Sequence, residues 1–234
     1  MEQHQYFKGL TPYFWVESRG YQRYYSLVLF SCLLLHINIL GSTIPEGRRE
    51  AVSTTQSTII LVPIGNIEER ILNALAKELE KKFACTVTIH APMEVPQEAY
   101  NSSRNQFHSS RILSQTRLAL QPQVREKVLA VTDVDLYVER LNFVFGEAEL
   151  GGSFAIISLA RLHQTFYGLP EENSIFLERT IKEAVHELGH VFGLGHCPDP
   201  GCVMYFSNRL LDTDRKNSSF CARCKEPLRR IEGR

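Results

Sequence analysis

One stretch of eleven residues, from His186 to His196, constrains this chain more than any other part of its sequence. It has the pattern H-E-x-x-H-x-x-G-x-x-H. On a helix, His186 and His190 leave the same face one turn apart, and Glu187 lies about 100° around the axis from His186. Gly193 can take a left-handed conformation, end the helix and turn the chain, so that His196 supplies a third nitrogen. Three protein ligands with an open fourth position are typical of a catalytic zinc, with Glu187 as its base.

The short form of this pattern, H-E-x-x-H alone, also occurs by chance in an amphipathic helix with two surface histidines. Gly193 and His196 at their fixed offsets argue against that interpretation. The sequence therefore predicts a metal site at this position.

Four cysteines follow the last histidine as two pairs, Cys197 with Cys202 and Cys221 with Cys224. Two closely spaced pairs on a loop-rich segment suit a tetrahedral zinc with four thiolate ligands and no open position, which would be structural. Such a site would hold the segment 197–224 beside His196. Two disulfides or four free thiols are the alternatives that the spacing leaves open.

Taken in chain order, the long histidine pattern, the adjacent cysteine, Cys202, Met204 and the C-x-x-C pair resemble the archaemetzincins, a family of metzincin metallopeptidases. The resemblance covers the chain from about Thr58 to Cys224. Three upstream segments are also similar to this family: 132–137, 141–146 and 148–152. The resemblance implies a compact metzincin fold, peptide hydrolysis at a catalytic zinc, a four-cysteine zinc, and a tight turn that places Met204 beneath the three histidines.

Upstream of the metal motif, the spacing of apolar residues predicts strands that alternate with helices. The expected strands are 58–64, 86–89, 127–132, 142–145 and 154–159, and the expected helices are 68–83, part of 104–120, and one after Pro170 that carries the histidines. This order predicts a mixed α/β fold of the compact metzincin type. Its expected parts are a twisted, mostly parallel sheet with an antiparallel edge strand, the active-site helix and a zinc-stapled C-terminal segment.

The resemblance also implies that a substrate peptide pairs with an edge strand of the sheet beside the cleft. The residues expected to line the substrate are Phe154, Ala155, Ile156, Ile157 and Ser158. An ordinary edge strand without a ligand would have the same pattern.

We expect a zinc-dependent metallopeptidase in which Glu187 takes a proton from a zinc-bound water and delivers it to the leaving amine. The expected cofactors are two zinc ions per chain, one catalytic and one structural. A non-catalytic, zinc-stabilised peptide-binding protein and a zinc hydrolase of non-peptide amides are the alternatives. Glu187 argues against the binding protein, because a structural site has no use for that carboxylate.

The overall charge of the chain bears on its partners. The 234 residues carry 26 basic and 26 acidic side chains, so the formal net charge is zero. Since there is no basic surplus, the sequence gives no reason to expect a nucleic-acid partner. We expect a monomer that acts on peptide or protein substrates.

We expect three parts in the chain: an N-terminal extension 1–57, the peptidase domain 58–224 and a C-terminal tail 225–234. The extension contains an apolar stretch, 26–40, which is shorter than the about 20 residues of a membrane-spanning helix. Disorder, a signal-like segment and a leader that is not native to the domain are the interpretations left open. The tail ends in the tetrapeptide I-E-G-R, a protease-cleavage sequence, so it could be a tag remnant. We expect a cytoplasmic location, with membrane anchoring or export through 26–40 as the alternatives.

Overall fold

The computed structural model describes residues 57–232 of the chain. The interpretations of the N-terminal extension, including its apolar stretch 26–40, concern residues outside this range. Among the residues that are described, no helix is both long and apolar enough to cross a membrane.

Eight strands and five helices are present within residues 57–232. The strands are β1 (Thr58–Ile64), β2 (Thr86–Ile89), β3 (Tyr100–Asn101), β4 (Gln106–His108), β5 (Glu126–Thr132), β6 (Leu136–Tyr137), β7 (Gly146–Ala148) and β8 (Phe154–Ser158). The helices are α1 (Glu69–Phe83), α2 (Ser109–Ala119), α3 (Asn173–Val191), α4 (Leu210–Arg215) and α5 (Ala222–Glu232). Helix α5 crosses the boundary expected at 224 between the domain and the tail.

The main sheet has the strand order β2-β1-β5-β8-β7. Its first four strands run parallel, and β7 pairs antiparallel with β8. Because side chains alternate along a strand, each face of this sheet has its own core. Leu129 belongs to the core that includes buried residues of α1 and α3, and Ala130 belongs to the core that includes buried residues of α2. The mixed α/β fold with a single antiparallel edge strand is therefore confirmed.

Two predictions about the sheet are wrong. The strand expected at 142–145 begins later in the chain, as β7 (Gly146–Ala148). Val144 instead pairs with Leu136 of a second, three-stranded sheet, before the chain joins the main sheet. The strand Phe154–Ser158 was expected at the edge, but β8 pairs with β5 on one side and with β7 on the other. All five residues of β8 are buried. The edge strand on this side of the main sheet is β7, next to β8.

Helix α3 carries buried charges on the side that faces the C-terminal segment. Arg179 donates two hydrogen bonds to the Asp214 carboxylate, at 2.7 and 2.9 Å. Glu183 forms an ion pair with Lys216 at 3.0 Å and accepts a hydrogen bond from the Thr213 hydroxyl, also at 3.0 Å. The Lys216 side chain has no exposed surface, and that of Glu183 is 3% exposed. These contacts fix the C-terminal segment to the helix that carries the metal motif.

Replacement of Lys216 by methionine should lower the free energy of unfolding by about 3–5 kcal/mol, because Glu183 would remain as a buried carboxylate without its cation. Equilibrium unfolding in urea, with zinc present throughout, measures this change. The matched control is the double variant Lys216→Met/Glu183→Gln, in which neither charge is buried alone. It should be more stable than the single variant, and a double variant of equal or lower stability would contradict the argument.

Candidate active site

The last turns of α3 and the chain reversal after it bring three histidines together. The rings of His186 and His190 have centroids 4.7 Å apart and perpendicular planes. The helix ends at Val191, and Gly193 has the left-handed conformation, with φ of +88°. The reversal places the ring of His196 4.8 Å from His190 and 5.4 Å from His186. The three side chains that the motif predicted as ligands therefore surround one point.

Backbone carbonyls determine which nitrogen of each helical histidine carries the proton. Nδ1 of His186 lies 2.8 Å from the Val203 oxygen, and Nδ1 of His190 lies 2.7 Å from the Leu194 oxygen. A carbonyl can only accept, so Nδ1 is the donor and the lone pair is on Nε2. The two Nε2 atoms are 3.1 Å apart, with their lone pairs directed into the same space.

This donor set fits a metal ion. Two lone pairs at such a distance repel each other unless a cation lies between them. A ring nitrogen from each of the three histidines lies within 4.8 Å of the others. Hydrogen bonds from Nδ1 to carbonyl groups are the usual way in which zinc-binding histidines are oriented.

The protonation state of the histidines also suits a metal. Burial, followed by the positive charge of Lys216, holds the pKa of His186 well below its usual value. Burial likewise lowers the pKa of His190, and it lowers the pKa of His196 to about 4. All three imidazoles are therefore neutral at physiological pH, which is the form that binds metal ions.

Glu187 lies beside the histidines, with only 6% of its surface exposed. Burial, together with the negative charge of Glu183, raises the pKa of Glu187 well above its ordinary value. A carboxylate with raised proton affinity is suited to accept a proton and release it again near neutral pH. The environment of Glu187 is thus that of a general base.

A tight turn containing Met204 lies beneath α3. Met204 is fully buried, and its side chain occupies the space into which a side chain at Gly189 would project. The Tyr205 amide donates to the Cys202 carbonyl at 2.9 Å and closes the turn. The Cys197 amide donates to the Met204 carbonyl at 2.8 Å. Met204 thus has the position that the sequence resemblance implied.

The four cysteines of the C-terminal segment form a second cluster. Their sulfur atoms all lie within 4.8 Å of one another, and the four residues are free of disulfides. Sγ of Cys197 and Sγ of Cys221 are 3.8 Å apart, far beyond the roughly 2.05 Å of a disulfide. A tetrahedral zinc with Zn–S bonds of about 2.3 Å would space its sulfurs at about 3.8 Å. The cluster therefore fits a four-thiolate metal site.

Burial raises the pKa of Cys202 and of Cys224, whereas hydrogen bonds to individual sulfurs favour the thiolate form. The Cys221 amide donates to Sγ of Cys202 at 3.3 Å, and the Arg223 guanidinium donates to Sγ of Cys197 at 3.2 Å. A hydrogen bond from the backbone of Cys224 lowers the pKa of Cys221 to about 7. Such donors stabilise the charged sulfur ligands of a metal site.

The strand beside this site differs from the one that the sequence suggested. Phe154–Ser158 lie inside the sheet, whereas β7 (Gly146–Ala148) has a free edge and packs against Glu187 through Gly146. Sequence reasoning missed this contact. It also missed Phe206, whose ring is 46% exposed and lies 4.8 Å from the ring of His196. The sequence signal for Phe206 was the presence of a large apolar residue two positions after Met204.

Comparisons with known proteins agree with this geometry. The sequence profile of peptidase family M54 matches residues 93–230. The archaemetzincin of Methanocaldococcus jannaschii is 45% identical over 170 residues, which are 73% of this chain and 92% of that protein. The crystal structure of archaemetzincin from Methanopyrus kandleri matches with a TM-score of 0.68 at 36% identity, over 79% of this chain and 99% of that one.

A third similarity is to the crystal structure of a zinc-dependent peptidase from Methanocorpusculum labreanum. It has a TM-score of 0.66 at 32% identity, over 73% of this chain and 99% of that chain. The family profile extends to residue 230, beyond Cys224, where the resemblance was expected to end. The chain therefore belongs to the archaemetzincins, peptidase family M54, and is a zinc metallopeptidase.

Proposed function

We propose that this chain hydrolyses peptide bonds with Glu187 as the general base, at a catalytic zinc held by His186, His190 and His196. The main support is the distance of 3.1 Å between Nε2 of His186 and Nε2 of His190, both of which carry a lone pair. Each ring is fixed by a hydrogen bond from its Nδ1 to a backbone carbonyl. A cation is the species that such an arrangement accommodates. Glu187 follows His186 on α3 and is buried there.

The residues of the site have distinct tasks in this proposal. Zinc, when bound, acidifies water and polarises a carbonyl group. Glu187 takes the proton from the attacking water and passes it to the leaving amine. Because Glu187 is buried, the proton stays on its carboxyl group long enough to be delivered. The carbonyls of Val203 and Leu194 keep the rings of His186 and His190 in one tautomer throughout.

The substrate in this proposal is an extended peptide that pairs with β7. Among residues 57–232, no strand lies beside the backbone groups of Gly146–Ala148 on the side away from β8. An extended peptide can add to such an edge through main-chain hydrogen bonds, largely without regard to its own sequence. This strand replaces Phe154–Ser158, whose backbone already pairs on both sides.

The second zinc of the proposal is structural and is held by Cys197, Cys202, Cys221 and Cys224. Four thiolates complete a tetrahedral coordination shell, so this metal has no open position for a substrate. The cluster closes the segment that also contains Val203 and Met204, both of which contact the histidine helix. Two zinc ions per chain are therefore expected, with different roles.

Replacement of Glu187 by glutamine should lower kcat by about 10²–10⁴-fold, because the amide cannot take the proton. Cleavage of a fluorogenic peptide library measures turnover, and elemental analysis should show unchanged zinc content. The matched control is Glu178→Gln, which changes an exposed glutamate on the same helix and should retain wild-type activity. Wild-type turnover by the Glu187→Gln variant would contradict the assigned role.

Zinc content should be two per chain in the wild type, and one per chain in both His186→Ala/His190→Ala and Cys221→Ser/Cys224→Ser. The cysteine variant should also expose the segment 197–224 to limited proteolysis, since the structural zinc orders it. The histidine variant should leave that segment resistant. One zinc in the wild type and one in the histidine variant would argue against metal binding by the three histidines.

A further inference from the structure

We infer that Gly146 is a positioning residue for Glu187, because the missing side chain at Gly146 is what lets strand β7 pack directly on the catalytic base. The inference rests on the role proposed above for Glu187. It concerns a residue that lies 40 positions before His186, at the end of the segment 141–146 and outside the metal motif itself.

The contact between the two residues leaves no room for a methyl group. A Cβ atom at position 146 would lie 2.6 Å from Cγ of Glu187 and 2.8 Å from its carboxyl carbon. Both distances are below the 3.0 Å that such contacts keep. Strand β7 therefore packs directly against Cγ and Cδ of Glu187, the two atoms that set the position of the carboxylate.

Strand β7 cannot move away from the helix at low cost. The same Cβ atom would lie 2.7 Å from the Ile156 carbonyl oxygen, which is backbone of the neighbouring strand. Just before Gly146, the Ser158 amide donates to the Phe145 carbonyl at 2.8 Å. These contacts hold the strand on the β8 side.

A second set of contacts holds β7 from the side of α2. The carboxylate of Glu147 accepts hydrogen bonds from the hydroxyl groups of Ser109 and Ser110, at 2.5 and 2.7 Å. Both serines lie in the first turn of α2, where a carboxylate is also favoured by the helix dipole. A shift of the strand would break these bonds next to Gly146.

The helix is equally constrained. Met204 fills the space beneath Gly189, and the Gly151 amide donates to the His190 carbonyl at 2.9 Å. With strand and helix both fixed, the collision of a methyl group at position 146 with Glu187 can be relieved only by rotation of the Glu187 side chain, and the close contact with the Ile156 carbonyl oxygen remains. The carboxylate would then move away from its position beside the histidines.

Backbone strain does not explain the glycine at this position. Gly65, Gly151, Gly168 and Gly193 have positive φ among the described residues, and Gly146 does not. Alanine can therefore adopt the conformation of residue 146. The effect of Gly146→Ala should therefore arise from the collisions of its methyl group with Glu187 and with the Ile156 carbonyl oxygen.

The test is the steady-state kinetics of Gly146→Ala on a fluorogenic peptide. A displacement of about 1 Å in a catalytic group can lower the rate about 100-fold, so we expect that fall in kcat, with KM within about threefold of wild type. Zinc content should stay unchanged, because the histidines are not displaced. The control is Glu178→Gln, a change at an exposed glutamate on α3 outside the site. Wild-type kcat in Gly146→Ala would overturn the inference.

A double-mutant cycle with Glu187→Ala identifies the atoms through which the methyl group acts. Gly146→Ala should lower the urea midpoint in the wild-type background, and should lower it much less when Cγ and Cδ of residue 187 are absent. Equal shifts in the two backgrounds would mean that the methyl group acts elsewhere, and the inference would fail.

The kinetics of Glu187→Gln separate this inference from the proposed function. If Glu187→Gln is inactive and Gly146→Ala has wild-type kcat, the role of Glu187 stands and only the inference is wrong. If Glu187→Gln retains wild-type turnover, the proposed function is wrong, and the inference fails with it.

Discussion

The position of helix α3 depends on buried charges that the helix cannot satisfy by itself. Arg179 and Glu183 are removed from water, and a buried charge is tolerated only when it is paired. Their partners, Asp214 and Lys216, both come from the C-terminal segment. The helix therefore reaches its final environment only when that segment is folded against it. The metal motif at the end of α3 is subject to the same condition.

The two metal clusters are connected through the backbone. His196 and Cys197 are consecutive, so the reversal at Gly193 that delivers the third histidine also delivers the first cysteine. The segment closed by the cysteines contains Val203, whose carbonyl fixes the tautomer of His186. In the proposed function, a metal bound by four thiolates would support a metal bound by three imidazoles, since it would hold the acceptor that orients one of them.

Short sequence patterns predicted the elements whose formation depends on residues that are near one another in the chain. The period of apolar residues located β1 and α1, and a glycine at a helix end indicated the turn at Gly193. Partners distant in sequence were not predictable in this way, because nothing adjacent to Lys216 indicates that its ammonium group is buried against Glu183. The sequence did contain an indication that Phe154–Ser158 is not an edge strand. Residues 154–158 show no alternation of apolar and polar side chains, which is typical of a strand covered on both faces.

In the proposed function, the short strand β7 connects substrate binding with chemistry. In the part of the chain that the structure describes, no strand lies along its outer edge, and a peptide paired there would be held through main-chain groups. Its Gly146 also packs against Glu187, so the same three residues would set the position of the peptide backbone and of the base. Main-chain pairing does not distinguish one side chain from another. Any preference among substrates must therefore come from side chains around the site, and the exposed Phe206 beside His196 is one such side chain.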